Sequence, residues 1–325
     1  MAEDGHRRSG EGASPGGGSD VGGSPSSVKA LSSWDTAAEF FNYYSSMKDY
    51  VDSLVADSVG QHVHRIAATC PSPIVLDVAG GTGWCAIKVA QRFPQAQITA
   101  TDFSSAMVEF MKRNIKEAGV ANIVAKVMDG QDMKEVGDGS VDVLTCNFGI
   151  NCFQDRARGW REIQRVLRPG GRAVVVTWMT MSPHLLSQEA LAKYDEEEKR
   201  RGVDVGVDEK KRRAEAMERL MHMIMGLPSR EAVTADLASA GCHFSSVEFY
   251  EVRHLWEDMP EGDIEKVTSS RGPYFCGVSP GFKDIVAGRD MQLVMSKLDE
   301  VMRSRLNEKR KVAVPWKELF TILTK

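Results

Sequence analysis

The stretch Ile74-Val75-Leu76-Asp77-Val78-Ala79-Gly80-Gly81-Thr82-Gly83 constrains this chain more than any other. Its aliphatic start reads as a buried strand, and three glycines in the four residues that end it read as a turn of bare backbone opening a helix. The alternation then continues. Trp84 to Phe93 predicts a helix, Ile98 to Thr101 a strand closed by Asp102, and Ser104 or Ser105 the cap of a helix turning Met107, Val108, Phe110 and Met111 inward. Strands follow at Ile123 to Met128, before Asp129-Gly130, and at Val141 to Cys146, before Asn147. A helix with Trp160, Ile163 and Val166 leads through Arg168-Pro169-Gly170-Gly171 into the strongest strand, Ala173 to Trp178. Strands alternating with helices predict an α/β fold, a doubly wound and mostly parallel sheet that binds its ligand at the carboxyl ends of the strands. Asp77, Asp102, Asp129 and Asn147 all fall at those ends.

Two cofactors compete for such a turn. Gly81-Thr82-Gly83-Trp84-Cys85-Ala86 fits the dinucleotide pattern G-x-G-x-x-A, with Asp102 where a ribose-binding acid belongs. Charge separates the readings. A dinucleotide sets an anionic pyrophosphate on the turn, which the carboxylate of Asp77 would oppose. S-adenosylmethionine presents an ammonium and a sulfonium, which Asp77 would attract. The acid that closes the second strand serves either ribose, so the first acid decides for the methyl donor.

With these motifs the chain resembles the class I S-adenosylmethionine-dependent methyltransferases, and among them the ubiquinone/menaquinone-biosynthesis C-methyltransferase type and its small-molecule relatives. Val75 to Gly83 is similar to the first motif of that group, Thr101-Asp102-Phe103-Ser104 with Met107 to its ribose-binding segment, and Met128 to Met133 to its adenine-side loop. Asn147 to Asn151 resembles its fourth-strand end, and Arg165 to Gly171 its helix-to-strand signature. The resemblance covers roughly residues 74 to 178. It implies a seven-stranded Rossmann-like sheet, Asp102 on the ribose hydroxyls, Asp129 on the adenine amine and the glycine turn against the methionine moiety. The cofactor-binding set it implies is Asp77, Ala79, Gly80, Gly81, Gly83, Asp102, Phe103, Met107, Asp129, Gly130 and Asn147. After Trp178 the chain carries far more sequence than the quinone enzymes usually do.

A net charge of −4 on 325 residues gives no basic face for tracking phosphates, so a small-molecule acceptor is expected rather than nucleic acid. Six cysteines without paired or metal-like spacing predict reduced thiols, no metal site and a cytoplasmic protein; Cys146 and Cys152 flank the fourth-strand loop. Residues 1–28 are rich in Gly and Ser and read as a disordered tail, without the apolar core of a signal peptide, and no segment reaches membrane-spanning length. Residues 29–70 predict N-terminal helices, Trp34, Ala38, Phe41, Tyr44 and Met47 recurring at helical spacing. They read equally as core and as a lid, with Tyr43 and Tyr44 the candidates to touch the cofactor or acceptor.

The methyltransferase core spans 71–178. Beyond it, 179–228 predicts a helical insertion overhanging the site, and 229–325 the remaining strands around a second helical insertion at 255–310. In the first insertion Met217, Leu220, Met221, Ile224 and Met225 form an apolar face that suits either core packing or a hydrophobic acceptor. The second holds the loop Arg271 to Gly277 and a helix at Asp290 to Leu306. Ala232 to Gly241 and Val247 to Val252 predict the last helix and sixth strand, and Val312 to Thr324 a final antiparallel edge strand with Pro315 near its start. His184 is the histidine best placed to act as a base, a weak candidate beside the two tyrosines. The leading expectation is methyl transfer to C, O or N of a small molecule, quinone-like or phenolic. The alternatives are an RNA or protein methyltransferase, disfavoured by Asn147-Phe148-Gly149-Ile150 where an amino-methylating enzyme carries Asn-Pro-Pro-Tyr, and a catalytically silent scaffold, disfavoured by the intact acids and glycines.

Overall fold

The computed structural model of the chain describes residues 38, 42, 49–67, 70–180, 182–268 and 285–325. Tyr43 and Tyr44, the 1–28 tail, the loop at 271–277 and Cys276 lie outside them. The elements in order are α1 (Asp49–Ala67), β1 (Ile74–Asp77), α2 (Trp84–Arg92), β2 (Gln97–Asp102), α3 (Ser105–Ala118), β3 (Ile123–Val127) and β4 (Val141–Asn147). After a 3-10 turn at Gly149–Cys152 come α4 (Arg156–Val166), β5 (Leu167–Thr180), α5 (Ser182–Arg200), α6 (Val207–Met225), α7 (Arg230–Ser239), β6 (Ser246–Pro260), α8 (Glu261–Thr268), α9 (Met291–Ser304) and β7 (Lys311–Thr324).

The strands form one seven-stranded sheet in the order β3-β2-β1-β4-β5-β7-β6. The first five are parallel, as the alternation of strand and helix requires, and β7 runs antiparallel between β5 and β6. The order reverses between β1 and β4, and that switch point opens a crevice at the carboxyl ends. Both faces are apolar. One core joins Val75, Ala100, Val143, Val174, Val176 and Phe320 to α1, α2, α5, α6 and α9; the other joins Leu76, Leu144, Trp160, Val175 and Leu323 to α4 and α7. Caps fix where helices begin: Ser104 Oγ accepts from the Met107 amide at 3.1 Å, Asp155 from Arg158 at 2.9 Å and Asp290 from Gln292 at 3.0 Å.

Four expectations need correction. The last strand is interior, and β6 is the edge. Pro315 is tolerated because the pairing of β5 with β7 ends at Lys317, leaving only β6 beside the proline. The sixth strand continues to Pro260, so residues 255–260 belong to the sheet rather than to a helical insertion. The glycine punctuation before β5 lies within the strand: Gly170 has φ +74° and its amide donates to the carbonyl of Lys325 at 2.9 Å, tying this point to the chain end. Phe110 is half-buried rather than inward, with the Arg113 guanidinium 4.3 Å above its ring.

Helices α5 and α6 are joined by charge as well as by packing. Arg213 donates to Glu198 at 2.7 Å and to Glu209 at 2.9 Å, while the Tyr194 hydroxyl donates to Glu198 at 3.0 Å and accepts from the Asp290 amide at 3.0 Å. Burial alone would raise the pKa of Glu198, but the bonds from Arg213 and Tyr194 outweigh it and hold the group below the ordinary glutamate value. Arg213→Leu leaves that carboxylate half of a broken, mostly buried pair and should cost about 3 kcal/mol, read by chemical denaturation. A loss of a few tenths would show that the pair is effectively solvated.

Candidate active site

The site grows from the two turns that end β1 and β4. Asp77 is the last residue of β1 and fully buried. Its position is held by the Thr101 hydroxyl, which donates to the Asp77 carbonyl at 3.0 Å, and by the next amide, Val78, which donates to the Thr145 carbonyl at 2.8 Å. The chain then turns sharply: Ala79 has φ +54°, Gly81 +57° and Gly83 +87°. Ala79 is a non-glycine residue in the left-handed region, a strained conformation of the kind that marks functional turns. Gly80 is needed for space, since a Cβ there would lie 2.4 Å from Asp77 Oδ2, whereas a Cβ on Gly81 would meet nothing within 4 Å. The turn therefore presses its carboxylate from one side and leaves the Gly81 side open.

Asp102, almost fully buried at the end of β2, ties this turn to the next one. Its Oδ2 accepts from the Gly81 amide at 3.0 Å and its Oδ1 from the Ser104 amide at 2.9 Å. Each oxygen thus accepts one backbone amide. Phe103 is half-buried, and Met107 is buried, its amide capping onto Ser104. Asp129 is exposed beyond β3, with Oδ1 accepting from the Gln131 amide at 2.8 Å, while Gly130 is buried where a Cβ would come 2.4 Å from the Phe153 ring. Asn147 ends β4, and its Oδ1 is buried without a hydrogen-bond partner among the described residues. Two turns thus meet at the crevice. A Cβ on Gly149 would lie 2.4 Å from the Cβ of Ala79.

Sequence reasoning missed three supports of this site. Asn114 of α3 donates to the Thr82 carbonyl at 2.9 Å and to Asn42 at 2.8 Å, pinning the glycine turn. Phe148 stacks on Trp178 with centroids 4.7 Å apart and planes within 5°, walling the crevice beyond β4. Arg165 binds Glu162 together with the carbonyls of Met133 and Val136, so the helix-to-strand signature also holds the loop after β3 in place. An amphipathic pattern marks each of these residues only as buried or polar, and, the Glu162–Arg165 pair aside, their partners lie far along the chain.

The two loop thiols are held away from the thiolate form. Burial, with the charge of Asp77 adding to it against a bond from Ile150, pushes Cys146 up to about 12; burial and then the charge of Asp102 push Cys152 up to about 12. His184 is buried on α5 against the sulfur of Met221. Of the apolar face on α6, Leu220 lies in the core and Met217 and Met225 pack against it.

Residues 75–171 match the family model described as a methyltransferase domain. The chain is 34% identical over 148 residues to the ubiquinone/menaquinone biosynthesis C-methyltransferase of Geotalea daltonii, 44% of this chain and 63% of that one. It is 32% identical over 161 residues to the malonyl-[acyl-carrier protein] O-methyltransferase of Hahella chejuensis, covering 49% and 53%. The matched segment is thus less than two thirds of either relative. Among solved structures, the YcgJ protein of Bacillus subtilis is similar at 17% identity and TM-score 0.45, over 83% of this chain and 98% of that one. Residues 75–171 thus carry a methyltransferase domain, and over that region the chain resembles the quinone C-methyltransferases.

Two measurements follow from this geometry. Gly80→Ala forces the buried carboxylate aside and should cost about 2–3 kcal/mol, against about 1 kcal/mol for Gly81→Ala, where only the positive φ is penalised; equal losses in thermal unfolding would refute the steric account. Burial lowers His184 from 6.5 to about 4. The unfolded chain then binds the proton first, so the native state loses stability as pH falls from about 6.5 toward 4. His184→Gln should recover about 2 kcal/mol of the loss between pH 7 and pH 5. His62, lowered to about 4 by burial and then by Arg172 and Arg65, supplies a further part of the same slope. An unchanged slope in the variant would mean that His184 is hydrated.

Proposed function

We propose that this chain is an enzyme that transfers the methyl group of S-adenosylmethionine to a small-molecule acceptor, at a C, O or N atom of a quinone-like or phenolic compound. The observation that carries the reading is the fully buried carboxylate of Asp77 pressed against Gly80 at the base of the turn. An anion there repels a pyrophosphate and attracts the ammonium and sulfonium of the methyl donor. The rest of the crevice fits that group: Gly81 faces open space, Asp102 stands at the end of β2 where a ribose-binding acid belongs, and the buried Oδ1 of Asn147 calls for a donor from a ligand.

In this reading Asp102 holds the ribose hydroxyls and Asp129, with Gly130, receives the adenine amine. Asp77, Ala79, Gly80, Gly81 and Gly83 border the methionine moiety, Phe103 and Met107 back the ribose segment, and Asn147 stands at the methyl end. When bound, the donor supplies an activated methyl on sulfonium, and displacement there needs orientation and a dry pocket more than a strong base. The paired turns and the Phe148–Trp178 stack serve those needs. His184, neutral and against Met221, has little affinity for a proton and is a poor base.

Residues 71–178 act as the donor-binding core, 29–70 and 179–228 as its covers, and 229–325 as the strands that complete the sheet. None of the five described cysteines is in a disulfide, which suits a reducing compartment such as the cytoplasm. Among the described residues no helix is long and apolar enough to cross a membrane.

Calorimetric titration with S-adenosylmethionine and with NAD tests the reading. Micromolar-range binding of the methyl donor alone is expected, weakened at least tenfold, about 1.4 kcal/mol or more, in Asp102→Ala. Binding of NAD instead would overturn the assignment of Asp77.

A further inference from the structure

The two edges of the sheet are built differently. β3 is 5 residues long and carries an exposed Lys126, the short and charged kind of edge on which a further strand gains little. β6 runs for 15 residues, holds no lysine and meets its first proline only at Pro260, its last residue. Among the described residues it pairs with β7 alone, in one unbroken register from Ser246 to Trp256. Every second amide and carbonyl of that stretch therefore points away from the sheet toward a place where a further strand fits. Val247, Tyr250 and Leu255 are exposed along it, Leu255 by 51%. A long, regular edge with exposed apolar side chains is a template for pairing with another chain.

Charge says what that chain is. Period-two alternation sets Phe249, Glu251, Arg253 and Leu255 on one face of β6. Glu251 and Arg253 are exposed, and the Arg253 guanidinium donates to Glu251 at 2.6 Å. Arg253 also stands directly opposite Lys317 of β7, a like-charge pair that works against the ladder. The bond from Arg253, and then the charges of Arg253, Arg230 and Lys317, hold Glu251 below the ordinary glutamate value against the cost of desolvation. Three cations are thus grouped about this carboxylate, and a second carboxylate brought to the edge would be attracted there. A second copy of β6 brings one. A twofold axis normal to the sheet keeps each side chain on its own face, and placing it at Val252 sets Glu251 opposite the partner's Arg253 and Phe249 opposite the partner's Leu255, each pair occurring twice. Moving the axis to Glu251 sets Arg253 against the partner's Phe249, and moving it to Arg253 sets Glu251 against the partner's Leu255. Charge and apolar pairing together select the register about Val252.

We propose that the chain forms a twofold dimer through β6, in which a second copy adds its own β6 antiparallel about Val252 and the two sheets become one. The unpaired backbone of the edge supplies the association, and the Glu251–Arg253 pairs fix its register and its choice of partner. This inference goes beyond the methyl-transfer reading and does not depend on it.

The test is sedimentation velocity on the full-length protein over a micromolar dilution series, where the native chain should run at twice its own mass. Arg253→Glu opposes acid to acid on both sides of the axis, and Glu251→Arg opposes cation to cation; each should weaken the dimer about tenfold or more. The exchange Glu251→Arg with Arg253→Glu restores opposite charges across the axis and should dimerise about tenfold more tightly than either single variant. Val252→Cys faces itself across the axis within reach of a disulfide, and should cross-link two chains under oxidised glutathione. Val247→Cys, whose counterpart lies far along the partner strand, should not. A native protein that stays monomeric throughout the series would overturn the proposal. So would a dimer unmoved by either charge reversal, an exchange no tighter than the single variants, or cross-linking of Val247→Cys as ready as that of Val252→Cys. The native mass and the two cysteine variants decide the matter even if the charge variants fail to fold.

Discussion

The site depends on one carboxylate joining two turns. Asp102 accepts from Gly81 at the end of β1 and from Ser104 at the end of β2, so neither turn can move without breaking a charge-assisted bond inside the sheet. Those bonds hold a backbone path that would otherwise relax, since Ala79, Gly81 and Gly83 all sit at positive φ. The strain is supported from below by the sheet, where Thr101 ties β2 to the carbonyl of Asp77, and from the side by Asn114, which holds the carbonyl of Thr82. An acid at the end of a second strand therefore shapes two turns at once.

That half of the molecule was legible in the sequence because its information is local. A strand, its glycine turn and its helix occupy about twenty consecutive residues, and the polar strand ends recur in step with the period of the βα unit. The parallel order follows from the helices between strands. The misreadings came where the fold is set by distant partners. Pro315 suggests an edge strand when only its own strand is considered; the edge is in fact β6, and β5 simply stops short of the proline. Phe110 fits an inward helical position, but Arg113, three residues on, covers its ring at the surface. Of the candidate site residues, the strand-end acids and glycines stood out by type and place. Asn114, Phe148 and Trp178 did not, since a helical asparagine and two aromatic residues have no local signature of what they touch.

The elements after β5 show how an elaborated chain keeps its added helices in register with the sheet. Arg213 gathers Glu198 of α5 and Glu209 of its own helix, and Tyr194 relays the same cluster to the start of α9 through the Asp290 amide. Charged groups rather than apolar ones carry this junction, which fits sequences as hydrophilic as those of α5 and α6. The apolar faces of the same helices are left to pack on the sheet: Leu186, Ala190, Leu191 and Leu220 all belong to the core around β5 and β7. The helices are thus fixed by ion pairs between them and by packing on the sheet.

This arrangement leaves the two halves of the sheet under different constraints. The candidate site is built from strand ends that are neighbours in the parallel sheet, so it is tied to backbone geometry and tolerates little change. The other half ends in β5 and β7, an antiparallel pair whose backbone bonds are satisfied whatever their side chains are. Side chains there can therefore be replaced without disturbing the ladder. The glycine turn is fixed by what the backbone must do, and the side chains of β5 and β7 by what packs against them.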